Sequence, residues 1–288
     1  MKWLILFTLS IAPLAAMESF AGSRYVPTDW ADGDSFRVKT AEGREFTVRI
    51  YGADCFETGP YTPSDARRLR DQRRYFGISG HGGSFRASVE LAERYGKLAT
   101  AQVAEWLSEP FTVHTGFADA RGDSRYERFY AFITMADGRD LSSALVANGL
   151  ARAFGVLRAH PDGRTSHEYG QSLADYEMQA AVRRKGIWEH TDWDNLPEER
   201  RMLREYEEEL RTTIRRPLVE GEFRVNPNTA ARDELMRLPG IGESIAIRII
   251  EARPHASAEA LLKIPGIGDA TLARIRPFID FKSEDAGN

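Results

Sequence analysis

The sequence predicts an α+β chain whose strands suit a small barrel, followed by a small all-α unit. Three observations carry this expectation. "SFRVKT" and "FTVRIY" alternate apolar and polar residues on either side of the turn "AEGRE", the pattern of a hairpin. "VELAERYGKLATAQVAEWL" spaces Val89, Leu91, Leu98, Val103 and Leu107 at helical intervals. Pro239-Gly240-Ile241-Gly242 recurs as Pro265-Gly266-Ile267-Gly268, each copy between two helical stretches.

At the N-terminus, "MKWLILFTLSIAPLAAMESFAGS" joins one lysine to an apolar run from Trp3 to about Ala16 and then to small residues. With Ser19 and Ala21 as the best-placed cleavage pair, this predicts a signal peptide over 1–21 and an exported protein, periplasmic or secreted. The run contains Pro13 and is shorter than a membrane span, and no later segment is long and apolar enough for one. A length of 288 residues suits about two domains. The expected divisions are a first domain at 25–190, a charged helical linker at 191–221 and a second domain at 222–282. A formal charge of −4 excludes coating of nucleic acid through bulk charge, so any phosphate binding must be local. Cys55 is the only cysteine, so no internal disulfide can form.

Within the first domain, Gly96 interrupts the long helical pattern, which predicts one helix or a broken pair. "FTVHTGF" and "RFYAFITM" read as strands, "LSSALVANGLA" as a short helix and "HEYGQSLADYEMQAAVRRKGIW" as a final one. "PEERRMLREYEEELRTTIRR" reads as a solvated helical connector. Between Glu57 and Val89 lies a stretch with Arg67, Arg68, Arg70, Arg73 and Arg74. It is either a solvated loop with a short helix or a basic flap over a groove.

The candidate chemistry sits at the strand ends. At "TVRIYGADCFET", Val48 and Ile50 face the core while Arg49 sides with Thr47 and Tyr51. Continued unchanged, the strand would bury the Asp54 carboxylate at high cost, so Gly52 is expected to bend the chain and leave Asp54 and Glu57 in a turn. "ADGDSF" puts Asp32 and Asp34 around Gly33 in another acidic turn. The two turns meet only if the sheet closes or coils, which periodicity does not show. Assembled, such carboxylates suit calcium or magnesium, one could take a proton from water, and Arg49 and Arg128 could hold a phosphate. Plain surface turns are the alternative.

"DGDSFRVKTAEGREFTVRIYGADCFET", then "RYERFYAFITMADGRDLSSALVANGLARAF" and "RRKGIW", resembles the thermonuclease (micrococcal nuclease-like) family over roughly residues 25 to 190. The resemblance implies an OB-type five-stranded β-barrel with helices, whose closure joins the acidic turns. It also implies calcium-dependent phosphodiester hydrolysis by in-line attack of water, breaking the bond to the 5′ oxygen. On it, Asp34, Asp54 and the backbone carbonyl of Cys55 look like the Ca2+ ligands, and Glu57 like the general base. Arg49 and Arg128 match the phosphate-binding arginines, and Asp32 an outer-shell acid. Phe56 stands where the family usually has proline, which predicts a looser turn. Glu127 replaces a common glycine beside Arg128, and Gly155 and Val156 stand near where some members stack tyrosines on bases.

With "VNPNTAARDELMRLPGIG" in front, the C-terminal repeat resembles the tandem helix-hairpin-helix domain of bacterial competence DNA-uptake receptors. This implies sequence-independent contacts to DNA from backbone amides around Gly240, Ile241, Gly242 and Gly266, Ile267, Gly268. The expectation is therefore an exported, Ca2+-dependent nuclease acting on duplex or single-stranded DNA, with RNA left open. A catalytically degenerate DNA-binding protein of DNA uptake is the alternative, and a protein-binding scaffold is a further one.

Overall fold

Alternation along the hairpin becomes the wall of a barrel. In the computed structural model, which describes residues 17–59, 62–120, 128–214 and 224–281, β2 (Ser35–Lys39) buries Phe36 and Val38 and exposes Arg37 and Lys39. β3 (Glu45–Ile50) turns Phe46, Val48 and Ile50 inward and pairs with β2 from Ser35↔Arg49 to Lys39↔Glu45. β1 (Glu18–Val26), β5 (Phe111–Asp119) and β6 (Phe129–Thr134) complete the ring in the order β1-β2-β3-β6-β5, with β5 pairing back onto β1. That return pairing supplies the closure.

Strand β1 overlaps the expected signal peptide at 1–21. Glu18, Ser19 and Phe20 pair with Thr115, His114 and Val113, and Ser19 Oγ lies 2.8 Å from His114 Nδ1. A chain cut after Ala21 would lose these pairs, and Met17 already packs on the barrel core. Residues 1–16 lie outside the described residues. No described helix is long and apolar enough to cross a membrane.

Gly52, at φ +75°, bends the chain after β3 as expected, but the next residues form the short strand β4 (Ala53–Cys55) rather than a turn. It pairs with β7 (Ala151–Ala153), setting Asp54 opposite Arg152. The helical pattern around Gly96 forms one unbroken helix, α2 (Phe85–Trp106). A side chain at Gly96 would meet the backbone oxygens of Phe56 at 2.6 Å and Glu57 at 2.9 Å, so this glycine serves close approach. α3 (Leu141–Ala147) and α4 (Ser166–Val182) pack together over the barrel's β7 side.

The Arg-rich insertion carries α1 (Pro63–Tyr75), whose start is fixed by a capping box between Thr62 and Asp65. Under α1 and α2, Phe56, Leu69, Phe76, Ile78, Leu91 and Trp188 form a second apolar cluster. The charged connector is α5 (Leu196–Ile214), and it is not merely solvated. Arg200 donates to the Tyr75 carbonyl, Ser79 donates to Glu199, and Arg70 stacks 4.0 Å from the Tyr206 ring centre. Residues 215–223 of the linker boundary and 282 at the end of the second domain lie outside the described residues.

The C-terminal unit comprises α6 (Arg232–Met236), α7 (Glu243–Glu251), a 3-10 turn at Ala258–Lys263 and α8 (Asp269–Ile275) around its own apolar core. It docks on the barrel through α7. Ile247 joins the barrel core, Arg158 pairs with Glu251 at 2.7 Å, and Tyr130 donates to Glu243 at 2.8 Å.

Candidate active site and nucleic-acid interface

Barrel closure brings both acidic segments to one place. Gly33 makes this possible, because a side chain there would stand 2.7 Å from Cys55 Sγ and 2.8 Å from Ala99 Cβ. Cys55 N–H donates to Asp34 Oδ2 at 3.0 Å, tying the start of β2 to β4. Asp32 stays in the first turn, accepting from the Asp34 and Ser35 amides. Burial, then its neighbours Asp34 and Glu57, push its carboxyl well above the usual range.

Arg49 leaves β3 between two carboxylates, 3.0 Å from Asp54 Oδ1 and 3.5 Å from Asp34 Oδ2. Burial alone would lower its pKa, but these carboxylates outweigh burial and raise it. Arg128 lies alongside, donating to Ser35 Oγ at 3.2 Å and to the Ala120 carbonyl at 3.0 Å. Burial and the nearby Arg49 lower its pKa. The guanidinium is thus positioned by neutral oxygens beside a second cation, the setting in which an anion is favoured. Glu127, which stands beside Arg128 in the sequence, lies outside the described residues.

Glu57 follows β4, with its side chain mostly buried. Burial raises its pKa, Arg68 at 2.7 Å opposes the rise, and Asp34 and Asp54 add to it. A carboxylate shifted toward neutrality is suited to accepting a proton from water. Phe56 does not loosen this segment, because it is buried against Phe76 with ring centres 5.1 Å apart. Packing does the restraining that a proline ring would do through φ.

Three residues completing the site were not among the expected site residues. Arg152 donates to Asp54 Oδ2 at 2.8 Å, a contact written in the β4–β7 register. Arg68, expected only as part of a basic stretch, reaches Glu57. Gln72, fully buried on α1, donates through Nε2 to Asp54 Oδ2 at 2.9 Å and to the Cys55 carbonyl at 2.6 Å. Nothing in "RDQRRYF" signals that role. Burial would raise the Asp54 pKa, but Arg152, Arg49 and Gln72 together bring it down.

As a donor set, Asp34, Asp54 and the Cys55 carbonyl fit calcium: they are hard oxygens, and the Asp34 and Asp54 carboxylates share Arg49. Gln72 Oε1 is buried at the same place without a hydrogen-bond partner among the described residues. Among the described residues no cluster of three or more His, Cys, Asp or Glu side chains forms a metal site, so the backbone and amide oxygens would have to contribute. The Cys55 thiol is buried and raised well above its usual pKa, first by burial and then by Asp34, which leaves its carbonyl as the useful group.

In the C-terminal unit, Gly240 (φ +87°) and Gly266 (φ +99°) adopt the left-handed conformation that the tight hairpins need. Ile241 and Ile267 are buried in the core, and their amides bond to the Leu238 and Ile264 carbonyls. They therefore anchor the hairpins from within, which reassigns them from the expected DNA contacts. Gly242 and Gly268 cap α7 and α8, with open space above each. The repeat also crosses over. Arg248 of α7 donates to the Pro265 carbonyl of the second hairpin, and Arg274 of α8 lies against Gly240 of the first. A cleft of ≈ 340 Å³ runs from Gly155 and Val156 to Glu243 and Ser244, and the half-exposed Phe154 borders it.

A family model described as staphylococcal nuclease homologue matches residues 47–190, and one described as helix-hairpin-helix motif matches residues 222–280. No curated protein matches the chain. The two matches fall in the order expected from the motifs and mark a nuclease-like, DNA-binding protein.

Proposed function

The chain belongs to the staphylococcal nuclease homologue family, and from that premise we propose that it is an exported, calcium-dependent hydrolase of DNA phosphodiester bonds. The observation that carries this reading is the convergence of Arg49, Arg128 and Glu57 on the Asp34–Asp54 pair. Arg49 and Arg128 hold the scissile phosphate and balance charge developing on its oxygens. Glu57 accepts a proton from the attacking water, for which its raised pKa suits it. Asp34, Asp54 and the Cys55 carbonyl would hold the calcium, with Asp32 steadying the first turn through the Asp34 and Ser35 amides. When bound, the ion supplies charge neutralisation at the phosphoryl group.

The hairpin module holds duplex DNA without reading sequence, through the amides at the starts of α7 and α8 and through Arg248 and Arg274. Such a grip keeps substrate near the barrel at raised effective concentration. Processing of the leader before Met17 keeps β1 whole, in contrast to a cut after Ala21. The contact of Arg68 with Glu57 favours the second reading, a DNA-binding protein without catalysis.

The deciding experiment is plasmid cleavage by the mature protein with calcium, with magnesium and with chelator, beside Glu57→Gln. Calcium-dependent cleavage lost in the variant supports the hydrolase. Retardation of DNA on a gel without cleavage in any condition supports the binding protein.

A further inference from the structure

Arg68 and Gln72 stand four residues apart on α1, so they share a face, and that face points into the site. Gln72 Nε2 stands 2.6 Å from the Cys55 carbonyl and 2.9 Å from Asp54 Oδ2. Calcium binds oxygen ligands at about 2.3–2.6 Å. The amide nitrogen therefore occupies the space from which a cation would reach these same two oxygens. Exchanging the amide nitrogen and oxygen would not relieve this, since three oxygens would then face one another with no proton between them. The arrangement also leaves Gln72 Oε1 buried without a hydrogen-bond partner among the described residues, beside the same oxygens.

Charge points the same way. Asp32, Asp34, Asp54 and Glu57 are opposed by Arg49, Arg68, Arg128 and Arg152, four formal charges against four. Arg68 covers the carboxylate assigned to proton transfer, while Gln72 covers the oxygens assigned to the ion. One inserted helix thus engages both halves of the reaction machinery.

We propose that α1 is a built-in competitor of the metal ion, in which Gln72 takes the cation's position and Arg68 caps Glu57 until α1 withdraws. This inference rests on the calcium reading above. α1 can yield without dissolving the barrel: of its side chains only Leu69, Gln72 and Arg73 are buried, Leu69 packs in the cluster outside the barrel, and the ties of Tyr75 to Glu177 and Arg200 would open with it.

The test is calcium titration by calorimetry, without DNA, on the mature wild-type protein and on Gln72→Ala, with thermal melting in chelator to verify folding. The variant is expected to bind calcium at least about tenfold more tightly, the ratio that loss of one or two competing hydrogen bonds gives. Equal or weaker binding by a folded variant overturns the competition while leaving the calcium site standing. Absence of binding in both proteins overturns the calcium reading itself, and the competition with it. Hydrogen exchange in wild type needs no variant: calcium should speed exchange of the amides over residues 63–75, and unchanged or slower exchange overturns the withdrawal of α1.

Discussion

The catalytic candidate and the C-terminal hairpins are both proposed to hold phosphate, but they are built in opposite ways. The hairpins are local: each consists of one short segment with a left-handed glycine and a buried isoleucine, made twice. The site in the barrel is non-local. Asp34 meets Cys55 across 21 residues, Asp54 meets Arg152 across 98, and Arg128 meets Ser35 across 93. A local device survives small changes elsewhere, whereas a site assembled from distant strands depends on every element that holds those strands in place.

The sharpest way to break this comparison is Glu57→Gln. Hydrolysis should fall by about 10²–10⁴, the usual share of a general base, while duplex retention on a gel stays unchanged. Comparable cleavage by the variant removes Glu57 from the mechanism.

The two arginines separate chemistry from stability. Arg128→Met, whose lost hydrogen bonds go to the neutral Ser35 Oγ and Ala120 carbonyl, should cost about 10²–10³ in rate with less change in melting temperature than Arg49→Met. Arg49→Met should lose activity and also about 3 kcal/mol of stability, because it leaves buried Asp54 and Asp34 without a shared cation. Equal melting temperatures for the two variants would contradict that division.

Gly96→Ala tests the reach of the non-local design, since it lies on α2 and bears no functional group. Its new methyl must push the Phe56–Glu57 backbone, costing about 1–3 kcal/mol in denaturant titration and lowering cleavage as well. On the local side, Arg248→Ala with Arg274→Ala should weaken duplex binding at all sequences alike and reduce the salt slope by about 2. Cleavage of short strands should continue.

The smallest effect is in pH. Glu57 must be ionised to accept a proton, and burial lifts its pKa above the ordinary value, so the rate should climb with pH through a limb above 4.5. Arg68→Met removes a cation that holds this pKa down in the calcium-free protein, and should move the Glu57 titration followed by NMR without calcium to higher pH. A calcium-free titration that stays put would show that Arg68 does not touch Glu57 in solution.

By itself the sequence determined the strand faces, the hairpin of β2 and β3 and the helical repeat, and through family-like motifs it put forward Asp34, Arg49, Asp54, Glu57 and Arg128 as site candidates. These are properties of periodicity and of motifs within single segments, which survive in one dimension. It could not determine that β5 returns to β1, that Asp54 lies on a strand opposite Arg152, or that Ile241 and Ile267 are spent on a core. Least legible was Gln72, a polar residue among arginines whose only distinction is where α1 comes to rest. Hydrogen bonds and charge compensation are settled by distances of about 3 Å between segments far apart in the chain, and only tertiary packing sets those distances.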